Sequence, residues 1–471
     1  MINDDVRGMA THLLDAASCG VVLPAGCGKT QLVAGTAAVA AARNQRLLVL
    51  THTHAGVEAI RNRMRQLNVP GNAVQVSTID HWTHRLAMAF PKLAGYVVTP
   101  DVFWPDVHRA AARLLENPHI RDMVGSTYDF AVIDEYQDCT KCQHAVVMAV
   151  AQLMRIVILG DPFQAIYNFG GNQLIEWSTD VGHLQLVDIP VRPWRWASAN
   201  AALGDFLLDV RDSLAAGQPI DLRGKVSVVA WCEDTQANRR SVCWQALRNS
   251  GTTVILERFP AQCAKVARML SGHFGVMEEV EGTYLMEPAK IVDDGVGHKA
   301  AAALLHFARG CFSGLPSALS KKETEIGTGQ FPRYKRTTAF AALLEALEAV
   351  SHEPTPHHVL RALVEVEKLD GTLIRKEAWR DMIRAARRWA EGNAPTLPDA
   401  VRVVRDHARM YGRKQDRRSV SRVVLVKGQE FDECIVLGAD ALNARELYVA
   451  MTRPRHRLAV VSRSPVLTPK E

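Results

Sequence analysis

Pro24-Ala25-Gly26-Cys27-Gly28-Lys29-Thr30 follows a short apolar run, Val21-Val22-Leu23, and precedes an alanine-rich stretch from Leu32 to Ala42. Buried strand, glycine turn and helix in that order give the pattern a mechanism. Glycines let main-chain N–H groups converge on phosphate oxygens, Lys29 reaches the terminal phosphates, and the Thr30 hydroxyl can ligate Mg²⁺. The nucleotide-binding stretch is therefore read as Pro24, Ala25, Gly26, Cys27, Gly28, Lys29, Thr30 and Gln31. Leu23 stands where the strict pattern has a small residue, and a purely structural glycine turn is the competing reading.

Outward from the loop, Arg46-Leu47-Leu48-Val49-Leu50, Phe130-Ala131-Val132-Ile133 and Arg155-Ile156-Val157-Ile158-Leu159 are continuous apolar runs. Runs without polar alternation suit a parallel sheet buried on both faces. The last two end in acidic residues, and an open α/β sheet places functional groups along its carboxyl edge. A second α/β pattern begins near Val226-Ser227-Val228-Val229, continues through Thr253-Val254-Ile255-Leu256, and breaks off. It returns at Arg422-Val423-Val424-Leu425, Ile435-Val436-Leu437 and Leu458-Ala459-Val460-Val461. The spacing predicts a first core from residues 1–89 and 128–200 and a second from 201–287 and 419–471. A short insertion, 90–127, interrupts the first, and a mainly helical one, 288–418, interrupts the second.

The chain has 471 residues, too many for one core. Apolar residues make up 48% and charged residues 23%, as in an ordinary folded protein rather than a disordered one. No stretch reaches the apolar length of a membrane span, and the acidic start lacks the features of a signal peptide, so a cytoplasmic protein without a membrane partner is expected. A net charge of +6 permits nucleic acid without requiring it. Nine scattered cysteines argue against a disulfide framework.

Asp134-Glu135 closes the run Phe130 to Ile133. In P-loop ATPases such a pair divides the work: the first carboxylate, here Asp134, orients Mg²⁺, and the second, Glu135, positions and deprotonates the attacking water. The bland reading is two surface carboxylates at a strand end. The neighbours decide between them. Asp134-Glu135-Tyr136-Gln137-Asp138 and Gly160-Asp161-Pro162-Phe163-Gln164-Ala165-Ile166-Tyr167-Asn168-Phe169 resemble motifs II and III of the UvrD/PcrA/RecB group of superfamily 1 DNA helicases. Leu50-Thr51-His52-Thr53-His54 and Ser77-Thr78-Ile79-Asp80-His81-Trp82 resemble the segments that grip single-stranded DNA. Pro193-Trp194-Arg195-Trp196, Lys427-Gly428-Gln429-Glu430-Phe431-Asp432 and Leu447-Tyr448-Val449-Ala450-Met451-Thr452-Arg453 resemble motifs IV, V and VI, in the family's order.

The resemblance implies an α/β fold of two RecA-like cores and carries roles to matching positions. Gln164 would sense the γ-phosphate, Trp194 would stack on the base, and Arg195 would contact the γ-phosphate. Glu430 would lie near the ribose, and Arg453 would be the arginine finger that meets transition-state charge. With Lys29 and Glu135, Gln164 and Arg453 make up the catalytic set, and Thr30 and Asp134 the metal set. Thr51, His52, Thr78, Tyr167 and Phe169 would contact DNA, the aromatics by base stacking.

The implied activity is ATP-dependent helicase or translocase action on single-stranded DNA or a tailed duplex, running 3′ to 5′, with Mg²⁺ as cofactor. The alternative is a nucleotide-gated DNA-binding regulatory subunit of a nuclease or defence complex, with little unwinding. A nuclease or other protein partner is compatible with both, since compact proteins of this kind resemble the helicase halves of two-component systems such as Gabija. A small-molecule kinase would leave Gln164, Lys427 and Arg453 without roles.

Departures from the family pattern include Asp80, where many relatives have His, and the short first insertion, and three more bear on ligands. Gly170 replaces an arginine, His52 takes a site often aromatic, and Met9 to Gly20 holds no adenine-reading glutamine. Stacking on Trp194 is indifferent to the exocyclic groups that distinguish bases, so GTP should be hydrolysed within about tenfold of the ATP rate. Steady-state assays with each nucleotide check this. A strong preference for ATP would reveal an adenine-reading group elsewhere.

Overall fold

The computed structural model describes residues 4–97, 102–167, 173–225, 227–278, 283–335, 337–338, 340–411 and 416–469. It contains two six-stranded sheets and many helices, an α/β fold. The first sheet is built from β1 (Cys19–Val22), β2 (Leu47–Thr51), β3 (Val74–Thr78), β4 (Phe130–Ile133), β5 (Arg155–Gly160) and β6 (Gln185–Leu186). Their order is β3-β2-β4-β5-β1-β6, parallel throughout. One strand, β5, therefore separates the strand before the glycine loop from the strand before Asp134-Glu135.

The apolar runs are buried on both faces, as the absence of polar alternation predicts. Leu47 and Val49 of β2, Val132 of β4 and Val157 and Leu159 of β5 join a core with Leu13, Leu32 and Val33. Their alternating neighbours Leu48, Leu50, Ala131, Ile133, Ile156 and Ile158 join a second core on the other face. That second core also takes in Ala110, Ala111, Leu114, Ile120 and Val124, so helices Trp104–Leu114 and Pro118–Thr127 pack onto the domain.

The second sheet runs Gly275–Val276, Arg418–Arg422, Thr253–Glu257, Phe431–Val436, Pro454–Ser462, Val229–Glu233. Its described pairings are parallel. Two of its strands differ from the sequence expectation. Residues 423–426 form a 3₁₀ turn, and the strand is Arg418–Arg422. Its register ends where Arg422 meets Glu257, the last residue of its neighbour, so the apolar run beyond has nothing to pair with. The strand expected from Val226 runs Val229–Glu233, in register with Leu458 to Ser462. Val226 itself lies outside the described residues.

Two compact units divide the chain. One comprises Met1–Glu233, Val426–Cys434 and Gly438–Glu471, the other Asp234–Leu425 and Ile435–Leu437. The second unit has a helical core from helices that include Gly297–Cys311, Ala341–His352, Pro356–Glu367 and Lys376–Ala390. Among the described residues no helix is long and apolar enough to cross a membrane.

Trp379 centres that helical core. Its ring stacks on Phe307 at 5.7 Å between centroids, meets Phe312 edge-on at 4.9 Å, and its indole N–H donates to Glu367 at 2.7 Å. Trp379→Ala should cost about 3–5 kcal/mol of stability, because the cavity cannot collapse between two fixed rings. Urea unfolding checks this. A loss below about 1 kcal/mol would mean that the helices close over the gap.

Candidate active site

The site lies wholly within the first unit, along the carboxyl edge of its sheet. β1 runs into the glycine loop, which opens helix Lys29–Ala42. Gly26 has φ 70° and Gly28 φ 96°, a left-handed backbone that a side chain disfavours. Space forbids one too: a Cβ on Gly26 would lie 2.5 Å from the Trp196 ring, and one on Gly28 3.1 Å from Trp194. No side chain caps the helix at Gly28, so its first N–H groups are left for an anion. Lys29 is buried and donates to the carbonyls of Leu23 at 2.8 Å and Pro24 at 3.3 Å. The Ala25 N–H donates to the Tyr448 hydroxyl at 3.1 Å. Thr30 and Gln31 follow on the first turn, half-buried.

The segment 194–196 rests on this loop. The Arg195 N–H donates to the Gly26 carbonyl at 3.0 Å, and the Trp196 indole donates to the Pro454 carbonyl at 2.7 Å. Trp196 is fully buried, whereas Trp194 beside Gly28 is 42% exposed, with the Arg192 guanidinium over its ring at 5.6 Å from the centroid. The Arg195 guanidinium pairs with Glu430 at 2.9 Å and donates to the Thr452 carbonyl at 2.6 Å.

At the end of β4, Asp134 is buried and its N–H donates to the Leu50 carbonyl. Glu135 has φ 55°, the left-handed region that non-glycine residues seldom occupy, which marks a site where geometry is held against local preference. The two adjacent carboxyls shift in opposite directions. Burial, then the neighbouring Glu135 charge, pushes Asp134 up. Burial also opposes ionisation of Glu135, but Lys29, Lys427, the Gln137 amide and Arg453 outweigh it and hold Glu135 down. Gln137 donates to Glu135 at 2.5 Å and accepts from the Asp161 N–H at 2.9 Å, which ties the acidic strand end to the loop after β5.

That loop gathers the remaining charges. Asp161, with no exposed surface, takes Arg211 at 2.9 Å and the Gln164 amide at 3.0 Å. Lys427 donates to the Gln164 carbonyl at 2.5 Å, forms a buried ion pair with Asp138, and lies 5.1 Å from the centre of the Tyr167 ring. Arg453 is only 2% exposed. It donates to the Val449 carbonyl, the Thr452 hydroxyl and, at 3.4 Å, the Gln164 side-chain oxygen. Burial, then the nearby Arg195 charge, lowers its pKa to about 10 against the pull of Glu135 and Glu430.

The structure thus brings Lys29, Glu135, Gln164, Arg195, Glu430 and Arg453 into one network with the glycine loop. Other expected residues lie apart from it. Thr51 and Thr78 end β2 and β3 and are buried; Thr78 caps the following helix through His81, and the Thr51 hydroxyl has no hydrogen-bond partner among the described residues. The His52 ring is 3.3 Å from the Cys139 sulfur, and burial lowers its pKa to about 4, so it is neutral at physiological pH. Phe169 lies outside the described residues. Sequence reasoning placed Lys427 in a matched motif without foreseeing its partners, and gave no role to Asp138, Asp161, Arg211 or Tyr448. For all but Arg211, which lies in helix Ala201–Ala215 outside the motifs, the signal was a charge or hydroxyl inside a matched motif whose burial would demand a partner.

Residues 8–170 match the family described as the AAA domain. No curated protein matches the chain. Among solved structures, the chain is similar to the Pif1 helicase from Candida albicans, at 10% identity and a TM-score of 0.34. The match covers 59% of this chain and 56% of that one, so it spans little more than half of that protein's length. The glycine loop, the acidic strand end and the family match agree that residues 8–170 form a P-loop nucleotide-binding domain.

The Lys427–Asp138 pair yields a stability test. Burial raises the Asp138 pKa to about 7 although Lys427 opposes the shift. Lys427→Met should cost about 3–5 kcal/mol, because it leaves a buried carboxylate uncompensated. Asp138 takes up its proton as pH falls, so the deficit should be largest above pH 7 and shrink in acid. Adding Asp138→Asn should restore much of the loss. Melting temperatures of both variants across pH check this, and a pH-independent deficit would exclude the ion pair as its source.

Proposed function

We propose that the chain is an ATP-driven motor on single-stranded DNA, a superfamily 1 helicase or translocase of the UvrD-like subgroup, moving 3′ to 5′. The observation that carries the reading is the arrangement around Gln164. Its side chain meets Arg453, its carbonyl meets Lys427, and Tyr167 three residues on lies under the same lysine. A γ-phosphate sensor and a base-stacking ring on one short loop would let a change at the nucleotide reach the strand directly.

In this reading Lys29 and the loop N–H groups hold the phosphates, and the part-exposed Trp194 ring stacks on the base. Arg195 and Arg453 meet charge on the γ-phosphate, and Glu430 keeps Arg195 in place. Glu135, kept ionised by the surrounding cations, orients the attacking water and takes its proton. The Thr30 hydroxyl and the Asp134 carboxylate are hard oxygen donors suited to Mg²⁺, and a buried acid with a raised pKa is one that a bound cation would ionise. Mg²⁺ there would supply charge neutralisation across the β- and γ-phosphates. Thr51, His52, Thr78, Tyr167 and Phe169 line the proposed DNA path. The proposed cores remain residues 1–89 with 128–200 and 201–287 with 419–471, and the insertions 90–127 and 288–418. A nuclease or another protein is a compatible partner.

Glu135→Gln should keep nucleotide binding and lose turnover, because the amide cannot accept a proton. Equilibrium binding of a labelled nucleotide beside phosphate release separates the two effects, and turnover at the wild-type rate would remove Glu135 from the mechanism. ATP hydrolysis should rise with single-stranded DNA and lose that stimulation as salt increases, since grip on phosphates releases counterions. A flat response to DNA at low salt would favour the nucleotide-gated regulatory subunit. Unwinding confined to 5′-tailed duplexes would overturn the polarity.

A further inference from the structure

A groove of about 880 Å³ runs along the outer edge of β3, away from the nucleotide loop. β3 is the terminal strand of its sheet. The Ala73 carbonyl accepts from the Leu47 N–H on the β2 side, and strand alternation turns the main-chain groups of Val74 and Val76 to the open side. One of them is already in use: Arg61 donates to the Val76 carbonyl at 2.8 Å. Such an edge is a template for another strand unless it is blocked. Here the guard is one exposed side chain from the helix His54–Gln66, not a bulge or a proline.

Cations flank this edge on both faces of the sheet. Arg61 and Arg65 come one helical turn apart from helix His54–Gln66, whose Val57, Ile60 and Met64 pack in one core. Arg85 comes from helix Ile79–Ala89, whose Ile79, Trp82 and Leu86 pack in the opposite core; His81, one turn before it, has its pKa lowered by burial and then by the Arg85 charge, and adds no fixed charge. Glu58 is the one acidic residue in the lining, and it pairs with Arg65 at 2.9 Å. Arg85 is exposed and has no ion-pair partner among the described residues. Ser77, 5% exposed, lines the groove with a hydroxyl that has no hydrogen-bond partner among the described residues.

We propose that this edge is a docking site for an extended acidic segment of a partner protein, added to the sheet as a seventh strand. Successive side chains of an added strand point to opposite faces. Carboxylates at neighbouring positions would therefore meet Arg61 and Arg65 on one side and Arg85 on the other. Main-chain pairing to Val74 and Val76 would supply affinity, as in other strand-addition complexes. A nucleic-acid backbone matches the charge but not the row of peptide groups. The inference does not depend on the reading of the nucleotide site.

The test uses the full chain and fluorescein-labelled nine-residue peptides of Glu, Asp and Thr, with fluorescence anisotropy as readout. The acidic peptide should bind, and its version N-methylated at alternate peptide bonds should bind at least tenfold more weakly, with charge unchanged. Arg61→Glu and Arg85→Glu, both exposed, should each weaken binding at least tenfold and leave DNA-independent ATP hydrolysis unchanged. Equal binding of the N-methylated peptide would overturn strand addition. So would no binding of the acidic peptide at millimolar concentration. Displacement of bound peptide by a dT oligonucleotide, with the same loss in both variants, would make nucleic acid the occupant.

Discussion

The burial of Lys427 constrains everything around it. An ammonium taken out of water must be compensated at once, and Asp138 and the Gln164 carbonyl do so. Asp138 follows the acidic strand end by a few residues, and Gln164 closes the turn after β5. One cation thus fixes the separation between the two loops that carry Glu135 and the Gln164 amide. The remaining charges follow the same rule. Arg211 satisfies Asp161, Arg195 satisfies Glu430, and Gln137 bridges Glu135 to the Asp161 main chain. Few polar groups in this network could change alone, because each is the reason another can be buried.

Such a network explains why a carboxylate pair so deep in the protein can include one ionised member. Asp134 lacks enough positive charge of its own and rises, while Glu135 draws on Lys29, Lys427 and Arg453 together. The strained backbone at Glu135 belongs to the same arrangement. Its left-handed conformation turns the carboxylate back toward Gln137 instead of letting it continue outward from the strand.

Much of the first sheet was legible in the sequence because its strands are buried on both faces, and runs such as Leu47 to Leu50 carry no alternation to misread. The glycine loop was legible because few other folds place Gly-x-Gly-Lys-Thr between strand and helix. Strand ends were less so. Val423 to Leu425 is as apolar as a strand, yet its neighbour stops at Glu257, and pairing length is a property of two segments. The partners of Lys427 and Tyr448 were hidden for a related reason. Each lies hundreds of residues from the group it satisfies, and local pattern carries no information at that distance. Thr78 was named from its motif position alone, and the helix cap that its hydroxyl makes through His81 was not foreseen.

The first unit is discontinuous, and its nucleotide loop is braced by Tyr448, Thr452 and Pro454. Those residues are synthesised long after the loop they support. Between Glu233 and Val426 the ribosome makes all of the second unit except Ile435–Leu437, which takes about 10–40 s at ordinary elongation rates. Through that interval the first sheet has all its strands but the nucleotide loop stands without its brace, with Arg195 and the Trp196 indole lacking the carbonyls they later bond. The later-made helical unit can reach its final form first. A nascent chain of this protein therefore waits, half assembled, in the state most in need of a chaperone.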